Sequence, residues 1–209
     1  MPTIALKCPL CDDGLTVRER TAQCPRGHSF DQAKQGHWNL LPVQNKKSKS
    51  PGDDRSMLAA RRRFLDAGHY QPLVEALGTL DGVGLDLGSG EGWYARALGA
   101  SAGIDIAKDG VRMAASRQPQ ATWVVGSALS APFESGQFDW VLSIFAPFDQ
   151  SEVKRLLKPG GEFIQVGPGP GHLRALAELI YDEPQAHVSD ATGPYERICF
   201  EMSLGGQVL

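Results

Sequence analysis

Residues 82–92 read GVGLDLGSGEG, and residues 93–100 continue WYARALGA. Val83, Leu85 and Leu87 form a short apolar run that reads as a strand. Gly88, Gly90 and Gly92 follow as a bare main-chain turn, and WYARALGA then carries a helical pattern. Strand, glycine loop and helix in this order open a nucleotide-binding α/β sheet. Asp86, Gly88, Gly90 and Gly92 spell D-x-G-x-G-x-G, with Ser89 inside the loop. Trp93 stands where a dinucleotide fingerprint wants its third glycine, which argues against a nicotinamide cofactor.

Outward from that loop, SAGIDI (101–106) reads as a second strand and ends at Asp105, nineteen residues after Asp86. A carboxylate there accepts both hydroxyls of a ribose in a bidentate fashion, while the glycines admit a ligand close to the main chain with no Cβ in the way. Asp86 orients the loop. ATWVVGSA (121–128) gives a third strand, whose Ser127 and Ala128 stand where an adenine edge would meet donors. FDWVLSIFAP (138–147) gives a fourth strand, ending at the expected substrate mouth. LLKPGGEFIQVGP (156–168) supplies a helix end, a Lys-Pro-Gly-Gly turn and a fifth strand. Sustained βαβ alternation predicts an α/β fold with a parallel sheet and ligands beyond the carboxyl ends of its strands. The motif set over residues 82–170 resembles the class I (Rossmann-like) S-adenosylmethionine-dependent methyltransferases. The resemblance implies S-adenosylmethionine as cofactor, held by Asp86, Gly88, Ser89, Gly90, Gly92, Trp93, Asp105, Ile106, Ser127 and Ala128.

Three of four cysteines crowd the first 24 residues as Cys8-x2-Cys11, twelve residues, then Cys24-x3-His28. Each pair straddles a tight turn, so two knuckles converge four donors on the tetrahedral shell that zinc accepts. Pro9, Gly14, Pro25 and Gly27 suit such turns. With every place filled, the site is structural. Disulfides or free buried thiols are the competing interpretation, but they leave the in-register His28 unexplained, and cytoplasmic thiols stay reduced. His37 is a substitute fourth ligand only across an unusually long gap. Cys199 reads as a small core residue, and His37, His69, His172 and His187 as surface or satisfied histidines.

A chain of 209 residues accommodates one sizeable α/β core and a small appendage that needs its own support. We divide it into a zinc-binding module (1–42), a basic linker and helix (43–70) and a methyltransferase domain (71–209). No apolar run is long enough to cross a bilayer, and residues 1–30 lack the order of a signal peptide, so a cytoplasmic protein without a membrane partner is expected. Up to Tyr70 there are 12 Lys and Arg against 7 Asp and Glu, and beyond it 9 against 17. The basic excess gathers at Lys46, Lys47, Lys49, Arg55, Arg61, Arg62 and Arg63, around Pro51, Gly52, Asp53 and Asp54, with an amphipathic helix expected from Ser56 to Ala67. Such a cluster suits a polyanion through counterion release, and equally serves as a solubilising linker.

Taken together, the zinc knuckles with FDQAKQGHWNLLP (30–42), LAARRRFLDAGHYQPL (58–73), the DLGSGEG loop, IFAP (144–147) and GPGPGHLRALAELIY (167–181) resemble the bacterial 23S ribosomal RNA guanine-N1 methyltransferase family across nearly the whole chain. The resemblance implies a zinc module that reads RNA shape, methylation of a guanine N1 in a 23S rRNA hairpin, and a homodimer as one arrangement left open. Phe145, Pro147 and Phe148 occupy the place where related base methyltransferases sandwich a flipped base, with at least one phenylalanine expected to pack in the core. Asp149 is the nearest carboxylate for the departing proton and competes with a helix N-cap role. The sheet of such folds closes with a further helix and an antiparallel seventh strand beyond RICFEMSL (197–204), so the domain reads as shortened at its C-terminus. A small-molecule methyltransferase with a structural zinc clip, and a catalytically impaired nucleic-acid binding protein, are the rival functions.

Overall fold

Six parallel strands form the central sheet because the apolar runs are short, near-continuous and separated by helices, the pattern of strands buried on both faces. The computed structural model describes residues 3–42 and 52–168, with two short backbone segments near the C-terminus, Ser203–Leu204 and Gln207–Val208. Much of the expected sixth strand, RICFEMSL, and Lys46, Lys47, Lys49, His172, His187 and Cys199 lie outside the described residues.

The N-terminal part forms an antiparallel sheet of β1 (Thr16–Arg18), β2 (Thr21–Gln23) and β3 (Ser29–Asp31). It is followed by β4 (Trp38–Asn39), α1 (Arg55–Asp66) and α2 (Gln71–Leu77). Then come β5 (Gly84–Leu87), α3 (Trp93–Leu98), β6 (Ala102–Asp105), α4 (Lys108–Arg117), β7 (Thr122–Val125), β8 (Phe138–Ile144), α5 (Gln150–Leu156) and β9 (Leu157–Val166). The main sheet runs β4-β7-β6-β5-β8-β9. From β5 the chain winds outward through β6 to β7, then returns to lay β8 on the other side of β5. That reversal opens a crevice at the carboxyl ends of β5 and β8, the place where open α/β sheets bind ligands.

The N-terminal module is stitched to this sheet. β4 adds a parallel edge strand, with Trp38 opposite Val124 and Asn39 opposite Val125. Leu6 bridges Phe133, and the Lys7 N–H donates to the Pro132 carbonyl at 3.0 Å. Ile4, Leu6, Ala22, Trp38 and Leu40 share one core with Leu85, Leu87, Val124, Phe133, Phe138 and Val141 on that face. The opposite face packs Trp93, Tyr94, Val111, Trp123, Trp140, Leu142 and Ile144.

Two local details differ from the sequence reading. α1 begins one residue earlier than expected because Asp54 caps it, its carboxylate accepting from the Ser56 and Met57 amides at 2.7 and 2.9 Å. The Lys-Pro-Gly-Gly stretch does not stand apart from the fifth strand as a turn. It is taken up within β9 as an irregularity, where Phe138 pairs Leu157 while Trp140 pairs Glu162. Phe138 faces the core opposite to that of Trp140 and Leu142.

Candidate cofactor site and metal centre

The donor loop sits at the reversal point. Gly88 has φ +75°, and a Cβ there would come within 2.3 Å of the Ala146 Cβ, so glycine is what lets the β5 loop touch the end of β8. Gly90, at φ +54°, would direct a Cβ into open space, so the loop keeps an unobstructed face. The amides of Gly88 and Ser89 both donate to the Ile104 carbonyl, at 2.9 and 3.0 Å, tying the loop to the end of β6.

Asp105 ends β6 as expected. One carboxylate oxygen accepts from the Gly90 amide at 2.8 Å and the other from the Ala107 amide at 2.7 Å. Burial raises its pKa, and the two amides oppose that shift. Asp86 lies beneath the loop at 2% exposure, with Oδ2 lacking a hydrogen-bond partner. Burial first, then the Asp105 charge, push it up to about 7. Glu91, 1% exposed, is likewise raised by burial, and its closest cation is Arg61 Nε at 3.7 Å. Two buried carboxylates and the half-buried Asp105, with one long ion pair, make this end of the sheet richer in anions than in cations. A ligand bringing a sulfonium, an ammonium and ribose hydroxyl donors fits that donor set.

Ile106 is partly buried against the core, and Ser127 and Ala128 are half-buried at the end of β7. Ser127 Oγ accepts from the Leu129 amide at 3.2 Å. The Trp93 indole is turned into the core at 5% exposure, so only its backbone is placed to border the loop.

At the mouth, Ser143 Oγ donates to the Ala146 carbonyl at 3.0 Å and pins the turn after β8. Phe145 there adopts φ +52°, a left-handed conformation that costs a bulky residue on the order of 1–3 kcal/mol. Its amide donates to the Val166 carbonyl at 2.9 Å, and the ring is 43% exposed. Pro147 is exposed beside it. Phe148 turns inward and meets Phe163 with ring centroids 4.9 Å apart. Asp149 is the N-cap of α5: it accepts from the Glu152 amide at 2.9 Å and from the Ser151 hydroxyl. These bonds, the Ser151 hydroxyl first, hold its carboxyl below the usual range, which makes it a weak proton acceptor.

Sequence reasoning missed three contributors. Glu91, a letter within the quoted loop, was assigned no role. Arg61 read as one of several linker cations, yet it reaches over the loop. Tyr70 contacts both Tyr94 and Phe145 edge-on, at 6.4 and 6.1 Å. A cleft lined by Thr79, Asp81, Asp139, Lys158 and Glu162 lies at the opposite ends of the strands and is spanned by a 2.9 Å Lys158–Asp139 ion pair.

Cys8, Cys11, Cys24 and His28 bring one donor atom each within 4.8 Å of one another. Cys8 Sγ and Cys24 Sγ each lie 3.4 Å from His28 Nδ1, and Cys11 Sγ lies 3.6 Å from Cys24 Sγ. A tetrahedron around zinc has edges of about 3.5–3.8 Å, so the four donors suit that ion. Burial acts to raise the Cys24 thiol, but the backbone amides of His28 and Arg26 and the neighbouring thiols bring it down to about 7. Cys11 is pushed up to about 12, by burial first. His37 is not part of this cluster. Nor is it the surface or satisfied histidine expected: it is buried beside β4 with neither ring nitrogen hydrogen-bonded, and desolvation and then the charges of Lys108 and Arg112 lower its pKa.

A parallel sheet with this loop, a carboxylate ending the next strand and a four-donor knuckle cluster in one chain define a class I methyltransferase built onto a zinc ribbon. The zinc-ribbon family described as RlmA, N-terminal, matches residues 6–49, and the family described as methyltransferase domain matches residues 85–165. A 23S rRNA (guanine(748)-N(1))-methyltransferase of Streptomyces fradiae is 34% identical over 212 residues, covering 91% of this chain and 74% of that protein. YxjB of Bacillus subtilis (strain 168), whose name carries the same guanine-N1 reaction, is 33% identical with the same coverage. The crystal structure of the PH0226 protein from Pyrococcus horikoshii OT3 is similar at 29% identity, over 58% of this chain and 60% of that one, with a TM-score of 0.44. The chain belongs to the 23S rRNA guanine-N1-methyltransferase family. Among the described residues no helix is long and apolar enough to cross a membrane.

Proposed function

We propose that this chain transfers a methyl group from S-adenosylmethionine to N1 of a guanine in a 23S rRNA hairpin. The observation that carries the proposal is the meeting of the donor loop and the strained, exposed Phe145 at one crevice, on a chain whose relatives act on 23S rRNA. Three working parts follow: a zinc-binding module (1–42), a basic linker and helix (43–70) and a methyltransferase domain (71–209). Assembly as a homodimer is compatible with this reading and is tested by sedimentation.

When bound, S-adenosylmethionine supplies a methyl carbon activated by the sulfonium charge. Asp105 holds the ribose, Gly88, Ser89, Gly90 and Gly92 present bare main chain, and the Trp93 backbone closes the loop. Ile106, Ser127 and Ala128 border the adenine. Asp86 and Glu91 balance the positive charge. Phe145 and Pro147 clamp the extruded guanine, while Phe148 braces them from the core. Held there, the methyl carbon would lie open to the guanine N1 lone pair, with the carbon–sulfur electrons remaining on sulfur and Phe145 and Pro147 setting the approach of the base. The N1 proton leaves to water at the open mouth, since Asp149 is committed to its helix cap. Orientation therefore supplies more of the rate than charge stabilisation does.

The test is transfer of label from radiolabelled S-adenosylmethionine to unmodified 23S rRNA, followed by digestion to nucleosides, with Asp105→Ala as blank. Label in 1-methylguanosine is expected. Cofactor binding without labelled guanosine would instead favour the impaired binding protein.

A further inference from the structure

The mouth aromatic does not end at Phe145. Tyr70 meets it edge-on at 6.1 Å, Phe64 meets Tyr70 at 5.8 Å and 64°, and His69 stacks on Phe64 at 4.5 Å and 26°. The run leads from the donor crevice to the outer surface of α1. That helix buries Leu58 and Leu65, seven residues apart, so Met57, Arg61 and Phe64, at i, i+4 and i+7, share a neighbouring face. Met57 is 53% and Phe64 39% exposed. An apolar and aromatic strip in water, joined to a catalytic mouth, needs an occupant.

We propose that Phe64, His69 and Tyr70 form a stacking platform for the unpaired RNA nucleotides that adjoin the target guanine. This rests on the RNA methyltransferase reading above. Extruding one base deprives its neighbours of stacking partners, and aromatic faces replace that loss for any base sequence. The Phe64–His69 pair is near-parallel and both residues are exposed, the geometry of a stack that a base can extend. Charge selects RNA over an apolar peptide or a second copy of the chain: α1 carries Arg55, Arg61, Arg62 and Arg63 with no acidic residue in its first turn. Within that set Arg61 pairs with Glu91 and Arg62 with Asp66, while Arg63 is exposed.

The probe is a 23S rRNA hairpin carrying 2-aminopurine beside the guanine that the labelling assay identifies. It is titrated against wild type, Phe64→Leu and Phe64→Leu/His69→Ala. Stacking on the platform quenches the probe in the wild-type complex. Loss of one stacked base weakens RNA binding by about five- to 150-fold in the double variant, with quenching relieved. The salt slope, the melting temperature and the affinity for S-adenosylmethionine stay as in wild type. Phe64→Leu keeps an apolar side chain and shows the same relief of quenching with no loss of fold. Unchanged RNA affinity and quenching in the variants overturn the platform alone and leave the function intact. Parallel loss of cofactor affinity, or a change in oligomeric state without an effect on RNA, also overturns it by assigning the strip to packing or to a second copy. Failure of the wild-type chain to bind the hairpin overturns the RNA reading itself, and the platform with it.

Discussion

Replacing Asp86 by Asn is expected to stabilise the cofactor-free protein at pH 8 and to weaken its hold on S-adenosylmethionine. Burial and the Asp105 charge raise Asp86 from its ordinary 3.8 to about 7, against the opposing charge of Arg61 and the Ala95 amide, with Glu91 adding to the rise. The folded state therefore binds this proton more tightly than the unfolded chain does. Its contribution to stability is whole below about pH 4, is lost as pH climbs to about 7, and is level beyond. At about 1.4 kcal/mol per pH unit, the loss amounts to about 4 kcal/mol. Asparagine never ionises, but it places an amide where Asp86 Oδ2 has no partner, at a cost of about 1–3 kcal/mol. The net gain at pH 8 is thus about 1–3 kcal/mol, a rise in Tm of a few degrees up to about 10 °C for a chain of this size. At pH 5 the gain disappears. With saturating cofactor the order reverses, because the cationic ligand compensates an ionised Asp86 and finds no charge in the variant. Differential scanning calorimetry from pH 5 to 8.5, with and without S-adenosylmethionine, measures all of this. A wild-type-minus-variant difference that does not change with pH would refute the reasoning.

Chelation of zinc, or Cys24→Ser, should release about one metal ion per chain in atomic emission and lower Tm by more than 10 °C, since apparent zinc binding in small modules is worth on the order of 10 kcal/mol. His28→Ala should share that loss, and His37→Ala should keep its zinc. Asp105→Asn retains one acceptor but loses the charge that meets the ribose, so calorimetric titration should show S-adenosylmethionine binding weakened by about 10- to 100-fold, with RNA affinity unaltered. Arg155→Ala strips donors from the Phe133 and Ala131 carbonyls, at 2.7 and 2.9 Å, and from Glu152. It should cost roughly 3 kcal/mol of stability in urea melts without touching cofactor affinity.

The parallel strands and the zinc ligands were legible because each is written locally. Buried strands show as apolar runs, a glycine loop as glycines, and zinc knuckles as paired soft donors at fixed spacing. Asp149 carried two local meanings at once, a cap ahead of a helical run and a carboxylate near the mouth, and the hydrogen bond to Glu152 decides for the cap. The direction of the Trp93 side chain was not legible, because position in a motif says nothing about which way a helix's first side chain turns, and here it turns into the core. Arg61, Tyr70 and Phe64 could not be read as site residues at all. Their approach to Glu91 and Phe145 depends on where α1 docks, a tertiary fact set by Leu58 and Leu65 and by the bare Gly110 beneath Leu58.

The same dependence on docking changes what the zinc is for. A knuckle that only folded its own forty residues could swing on the basic linker and search for RNA independently. Here Trp38 and Asn39 pair with β7, Leu6 bridges Phe133, and Ala5 shares two hydrogen bonds with the Gln137 side chain at 2.9 Å each. β7 ends at Val125, two residues before Ser127, and β8 begins at Phe138 and ends at Ile144, next to Phe145. The ribbon is therefore anchored at the carboxyl end of β7 and at the entry to β8, the strand that leads to the proposed target-base mouth. On the proposed function, an RNA held by the ribbon would be held at a fixed distance from the methyl donor, and the entropy of aligning the two would be met when the chain folds instead of at each encounter.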